Sequence, residues 1–205
     1  MRYDIIFISY NEPQADENFA CLKARFPYAQ RVQGIKGIHQ AHIAAAKKAF
    51  TKMFWVVDAD AQILDTFNFD HVVSEYDLEN VHVWRSMNPI NDLEYGYGGV
   101  KLLPKSLTQS MDVSRPDMTT SISSLFKAMP EISNVTAFNV DAFNTWKSAF
   151  RECVKLASKT IDRQFGRDAI EGAVQGKQYG LENKDNNEAL KMINDFDWLR
   201  ERFGR

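Results

Sequence analysis

Two aspartates one residue apart, Asp58 and Asp60, close the apolar run Phe54-Trp-Val-Val57. Residues two apart on a strand project to the same side, so both carboxylates can converge on one cation if the strand continues. Oxygen donors of this kind suit Mg²⁺ or Mn²⁺, ions that keep several waters and take substrate phosphate into their shell. A site built this way is complete only with a phosphorylated ligand. The plainer alternative is a polar turn after a strand, where aspartate is common. A second polar cluster, Ser9-Tyr-Asn-Glu12, follows the apolar run Asp4-Ile-Ile-Phe-Ile-Ser9. Helix capping and turn formation are the plain role of Ser9, Asn11 and Glu12, and that role is compatible with contact to a ligand.

Both clusters gain weight from the elements that must carry them. The runs 4–9 and 53–57 are short and continuously apolar, as strands buried on both faces are. Tyr10-Asn-Glu-Pro13 signals a turn, with Pro13 suited to open a helix. Phe19, Leu22 and Phe26 recur at helical spacing over 14–26, and Pro27 ends that helix. Arg31-Val32 reads as a short strand, and Gly34 and Gly37 bracket Lys36. Ala41, Ala44, Ala45, Ala46 and Ala49 mark a helix from His39 to Phe50 that can pack closely on a sheet. This alternation implies an α/β domain with a mostly parallel sheet. Ligands of such sheets bind at the C-terminal ends of the strands, where both polar clusters fall.

The second half is less regular. Residues 82–85 read as a strand, 87–92 as a loop, and Tyr95-Gly-Tyr-Gly-Gly99 as an aromatic entrance to a strand over 100–103. Residues 106–136, rich in Ser, Thr and Asp, read as irregular. A long helix is expected from about Asp141 to Phe165, with Trp146, Phe150, Cys153, Ala157 and Ile161 on one face. A polar turn and a last helix fill 183–203. Lys147, Arg151, Lys155, Lys159, Arg163 and Arg167 recur every four residues and spiral beside the apolar stripe. The row is either a solvated face or a track for DNA phosphates.

The chain has 205 residues and a net charge of −2, which argues against wholesale nucleic-acid binding but leaves room for a local basic patch. Its 44% hydrophobic and 25% charged composition is that of an ordinary soluble domain. Cys21 and Cys153 form no disulfide framework or metal spacing. With Asp4 interrupting the first apolar run and no membrane-length segment, a reduced, cytoplasmic protein is the expectation.

Three segments in order carry a resemblance: Ile-Phe-Ile-Ser-Tyr-Asn-Glu12, Gly34-Ile-Lys-Gly-Ile-His-Gln-Ala-His42, and Phe-Trp-Val-Val-Asp-Ala-Asp60. Over roughly residues 3–65 the chain resembles the nucleotide-sugar glycosyltransferases of the GT-A fold, the family-2-like group. Further on, Tyr95-Gly-Tyr-Gly-Gly-Val-Lys-Leu-Leu-Pro104 and Phe143-Asn-Thr-Trp-Lys-Ser-Ala-Phe-Arg-Glu152 are similar to segments of short phage-encoded glycosyltransferases. Some of that group attach sugars, arabinose among them, to hydroxymethylated bases of phage DNA.

The resemblance implies a single Rossmann-like domain over 1–205. Residues 1–105 would bind the nucleotide sugar, and 106–205 would form an acceptor-side loop and C-terminal helices. It implies a UDP-linked donor such as UDP-arabinose or UDP-glucose, and Mn²⁺ or Mg²⁺ held by Asp58 and Asp60. Hydroxymethylated pyrimidine in DNA is the favoured acceptor, with a glycan or small molecule as the alternative. Ser9, Tyr10, Asn11, Glu12, Lys36, His39, His42, Asp58 and Arg151 are the expected donor contacts. Tyr95, Tyr97, Gly98, Gly99, Trp146 and Lys147 are the expected acceptor contacts. Many metal-dependent members add a C-terminal histidine to the ion. All four histidines here (His39, His42, His71, His82) lie in the first half, so the third ligand is unassigned. An inverting transfer also needs a carboxylate base. Asp92, Glu94, Asp117, Asp141 and Glu152 are the choices, with Glu152 and Asp117 ranked first. The residues leave retention or inversion open. The rival readings are a nucleotidyltransferase, which Tyr-Asn-Glu-Pro fits poorly, and a non-catalytic nucleotide- or DNA-binding module.

Overall fold

The computed structural model describes residues 2–89, 92, 94–95, 98–115, 117–137, 140–157, 192–193 and 195–204. They fall into two compact units, one of Met1–Asp112 with Ile122–Phe138, the other of Val113–Ser121 with Asn139–Arg205.

The first unit begins as its sequence predicts, with β1 (Asp4–Ser9), α1 (Ala15–Arg25), β2 (Gln30–Gln33), α2 (Ile38–Lys48) and β3 (Met53–Asp58). Pro27 bars the helical conformation at Phe26, which turns to φ −126° and ψ 80° and ends α1. Asp16 and Glu17 lie in the first turn of α1, Lys23 and Arg25 in its last, the polarity that the helix dipole favours. Strand β1 lies between β2 and β3, parallel to both, with Ile8 opposite Val32 on one side and Asp58 on the other.

The rest of the sheet is mixed. After β4 (Ala61–Ile63) and a single 3-10 turn (Glu75–Asp77) come β5 (Val81–Met87), β6 (Glu94–Tyr95), β7 (Val100–Pro104) and β8 (Phe126–Thr136). The strand order is β2-β1-β3-β7-β5-β8-β4, with β6 on β5. Strand β7 runs antiparallel to β3 and β5, β4 antiparallel to β8, and β5 parallel to β8.

Residues 106–136, expected to be irregular, hold instead the end of α3 (Lys105–Gln109), α4 (Met118–Ile122) and the 11-residue strand β8. Pro130 hides that strand in the sequence, because proline cannot donate to a ladder. The ladder accommodates it by slipping. Trp84 pairs with Met129 and Arg85 with Ile132, so Pro130 and Glu131 fall in the irregularity; Ser133 is skipped next, since Ser86 pairs with Asn134.

Alternate residues of the sheet build two different layers. Ile5, Phe7, Met53, Trp55, Val57, Val100, Leu102 and Trp84 form one cluster with Leu22 of α1 and with Phe67, Phe69 and Val73. Aromatic rings dominate it: Trp55 lies 4.6 Å from Trp84, 5.2 Å from Phe69 and 5.9 Å from Phe67 between centroids. The intervening residues Ile6, Phe54, Val56, Val83, Lys101 and Leu103 are buried on the opposite side. There α2 packs on β1, β2 and β3, its Ala41, Ala45 and Ala46 permitting close approach.

In the second unit, α5 (Ala142–Ala157) and α6 (Phe196–Phe203) join through aromatic rings. The Phe143 ring is 5.4 Å from Phe196 and 5.5 Å from Phe203, and the Arg200 guanidinium sits 4.0 Å over it. Asp195 caps α6 by accepting from the backbone N–H of Asp197 and Trp198. The expected continuation of the long helix to Phe165 falls outside the described residues. No helix among the described residues is long and apolar enough to cross a membrane.

Candidate functional site

Because β1, β2 and β3 are parallel, the segments leaving their C-terminal ends share one rim. Ser9 to Glu12 leaves β1, the loop 34–37 leaves β2, and Asp58-Ala-Asp60 leaves β3. The register places Ile8 opposite Asp58, so the first and third segments emerge side by side. The second joins them where Gly34 N–H donates to the Ser9 carbonyl at 3.0 Å. The tertiary structure therefore brings together what the sequence marks separately.

Asp58 and Asp60 are set by their backbone. Asp58 N–H donates to the Gly99 carbonyl at 2.9 Å, Asn18 Nδ2 donates to the Ala59 carbonyl at 2.8 Å, and Ala137 N–H donates to the Asp60 carbonyl at 2.9 Å. The residue before β7, helix α1 and the residue after β8 thus each hold one residue of the tripeptide.

The sequence gives no sign of the partner that Asp58 meets. Lys101 of β7 donates from Nζ to both of its oxygens, at 2.9 Å to Oδ1 and 2.8 Å to Oδ2. The Lys101 side chain is 4% exposed and that of Asp58 32%, so the ammonium is interior and the carboxylate reaches the surface. A buried ammonium needs such a partner, because leaving water unpaired costs several kcal/mol. In sequence Lys101 is one charge inside an apolar strand. Only the antiparallel pairing of β3 with β7 sets it beside Val56, two residues from Asp58.

The glycines at the mouth of β7 make that approach possible. Gly98 adopts φ +132°, which side-chain-bearing residues rarely do, and a Cβ there would lie 3.4 Å from Lys101 Cε and 3.9 Å from Asp58 Oδ2. A Cβ on Gly99 would stand 2.6 Å from the Asn134 amide. Asn134 is itself locked, its Oδ1 accepting from Ser86 and Ser133 hydroxyls at 3.0 and 2.8 Å and its Nδ2 donating to Thr136 at 3.1 Å. Gly98 and Gly99, expected acceptor contacts, pack against the Asp58–Lys101 pair and Asn134.

Other expected donor contacts separate into surface and interior. Asn11 and Lys36 are exposed and His39 is half-buried. Glu12 folds back to accept from the Tyr10 backbone N–H at 2.7 Å. Ser9 is buried, and its hydroxyl accepts from Arg31 Nε at 2.8 Å; Arg31 in turn pairs with Asp16 at 2.6 Å. The sequence marks Arg31 only as a strand residue. His42 does not reach the surface with His39. It is 2% exposed, with Nδ1 2.8 Å from the Ile38 carbonyl and no partner for Nε2 among the described residues. Burial and then the charge of Lys101 lower its pKa to about 3. His42 is therefore a neutral interior imidazole, and a phosphate role for it has no support.

Of the remaining expected residues, Asp92 and Glu94 belong to the first unit, and the others belong to the second unit or lie outside the described residues. Asp117 accepts from the Thr119 hydroxyl at 2.6 Å and the Thr120 N–H at 2.9 Å, a helix-capping arrangement. Asp141 accepts from Asn144 N–H at 2.8 Å, and those bonds hold its carboxyl below the usual range. Glu94 pairs with Arg85 at 3.3 Å, and Asp92 takes a left-handed φ of 55°. Lys147 donates to Asn144 Oδ1 at 2.8 Å and lies 5.7 Å over Phe143, so it packs on its own unit's aromatic rings. Trp146 stacks on Phe150 at 5.1 Å, and Arg151 is half-buried. Tyr97, the side chains of Tyr95, Glu152 and Lys155, and the basic positions 159, 163 and 167 lie outside the described residues.

The donor set does not fit a resident Mg²⁺ or Mn²⁺. Both oxygens of Asp58 already accept from one ammonium. At about 4 Å and an effective dielectric near 20, two unit charges interact by ~4 kcal/mol, so an ammonium held against Asp58 offsets the attraction that this carboxylate would offer a second cation. Among the described residues, no group of three or more His, Cys, Asp or Glu side chains converges to hold a metal.

No protein-family model matches the chain, and no curated protein does. Among solved structures, HddC from Yersinia pseudotuberculosis aligns with 73% of this chain and 99% of its own, at 13% identity and a TM-score of 0.37, a likeness too slight to bear on fold or activity.

Proposed function

We propose that the chain is a GT-A-type glycosyltransferase that takes a sugar from a nucleoside-diphosphate sugar, UDP-linked, to a hydroxyl acceptor. One observation carries the reading: Ser9 to Glu12 and Asp58 to Asp60 leave adjacent parallel strands at one rim, with Ile8 opposite Asp58. That is where an α/β sheet of this order takes a nucleotide. In this reading Asn11 and Glu12 face the base and ribose. Lys36 and His39, in the loop after β2 and the first turn of α2, offset charge on the departing diphosphate. Ser9 acts from beneath, by holding Arg31 in place. The favoured acceptor is a hydroxymethylated pyrimidine in DNA, and this rests on the sequence resemblance alone. The base of an inverting transfer is not assigned.

A panel of UDP-sugars tests the donor: the chain should release UDP from at least one, with and without added Mn²⁺. Silence across the panel under both conditions would remove the reading. Mass spectrometry of hydroxymethylated DNA incubated with the active donor tests the acceptor. A mass gain of one sugar is expected, and unchanged DNA beside continued UDP release would redirect the search to glycans or small molecules.

A further inference from the structure

The expected role of Asp58 and its observed surroundings disagree. We propose that Lys101, not a divalent ion, is the resident counter-cation of the Asp58-Ala-Asp60 turn, and that it makes this rim independent of Mg²⁺ and Mn²⁺. The argument is geometric. The ammonium spans both Asp58 oxygens at 2.8–2.9 Å, so it occupies the face a metal would take bidentately. Its stem is fixed: Lys101 is 3% exposed, paired in register with Val56 on one side and Val83 on the other. Gly98 closes over it, the position of a Cβ there being 3.8 Å from Nζ. His42, on the helix covering that side of the sheet, presents a neutral ring, so Lys101 is the charge that compensates Asp58 from inside. A mobile surface lysine could yield to a metal at small cost. This one would have to move its charge into an apolar layer, which is expensive. Lys101 is a positioning residue in this scheme. It neutralises Asp58 before a diphosphate arrives, so the incoming anion does not meet an uncompensated carboxylate.

The consequence for nucleotide chemistry rests on the glycosyltransferase reading; the metal exclusion does not. Mn²⁺ binding is therefore measured first, by the loss of the free-ion electron paramagnetic resonance signal, on the full chain without nucleotide. The wild type should leave the signal unchanged at ion concentrations up to about 1 mM. Lys101→Met, which leaves Asp58 without the ammonium, should bind Mn²⁺ at least tenfold more tightly than the wild type, and Lys101→Arg should not. Wild-type binding that disappears in Asp58→Asn would overturn the proposal. So would a folded Lys101→Met chain that gains no Mn²⁺ affinity. Should Lys101→Met fail to fold, UDP affinity of the wild type decides. Equal affinity in EDTA and in Mn²⁺, within about threefold, supports the proposal, and a tenfold or greater loss in EDTA overturns it. If no UDP-sugar is turned over at all, the glycosyltransferase reading falls while the Mn²⁺ measurements still judge Lys101.

Discussion

The two faces of the sheet in the first unit are both buried, yet they are built from different materials. The face of Phe7, Trp55, Val57, Val100 and Trp84 is an apolar layer sealed by α1 and by Phe67 and Phe69. The face of Ile6, Val56 and Lys101 lies under α2, whose His42 is buried against it, and carries a lysine and, at the rim, a carboxylate. The first buries no charged side chain, and His82, fully buried two residues from Trp84 on the same strand, is kept neutral by burial. The second admits Lys101 because Asp58 stands at its edge, and it admits His42 because the ring stays neutral. The lesson is that the candidate site is an extension of one core face to the surface.

The comparison can be broken hardest on the aromatic side. Trp55→Ala should lower stability by about 4 kcal/mol, read from denaturant melts, since the ring is fully buried and packs against three others. A loss under 1 kcal/mol would mean that this face is not the main support of the fold. On the other face, Asp58→Ala should cost about 3 kcal/mol, because it strands the Lys101 ammonium in the interior. Combining it with Lys101→Met should recover part of that loss, and a strictly additive double variant would argue that the two do not interact.

Smaller effects sharpen the picture. Gly99→Ala should cost about 2 kcal/mol, as its methyl group must push aside a doubly anchored Asn134. An unchanged melting midpoint would show that the loop yields freely. The smallest effect is the pH response of His42. Its folded pKa, about 3, lies below the ordinary value of 6.5, so the fold favours the neutral ring. That contribution is intact above pH 6.5 and is lost as the pH falls from 6.5 toward 3. Between pH 6.5 and 5 the share of this residue is about 1.5 kcal/mol. His42→Leu should flatten the stability slope by that amount, and equal slopes in the two proteins would contradict the interior placement.

How far these features could be read in advance follows from their range along the chain. The first five elements depend on local signals: apolar runs of strand length, Pro13 and Pro27, and the alanine spacing of α2. They fall within a few residues of expectation. Strand β8 depends on its partners. With Pro130 inside it and no clean alternation, it looks irregular until β5 supplies a ladder that slips around the proline. Asp117 and Asp141 stand among the choices for a base in the sequence, and in the structure each accepts from backbone and side-chain donors within four residues. Likewise Lys147, read as part of a basic track, leans over Phe143.

By itself the sequence determined the strand–turn–helix order of the first half and the two polar clusters that end its strands, because both follow from residues near one another. Tertiary structure decided what those clusters face. Asp58 and Lys101 are 43 residues apart and meet only through the pairing of β3 with β7. His42 and His39 share a helix turn, yet the sheet beneath α2 buries one and leaves the other half-exposed. Charge compensation across a strand pair is a long-range property. No spacing rule within a segment reveals it, and it is the property that turns the metal expectation at Asp58 into a question about Lys101.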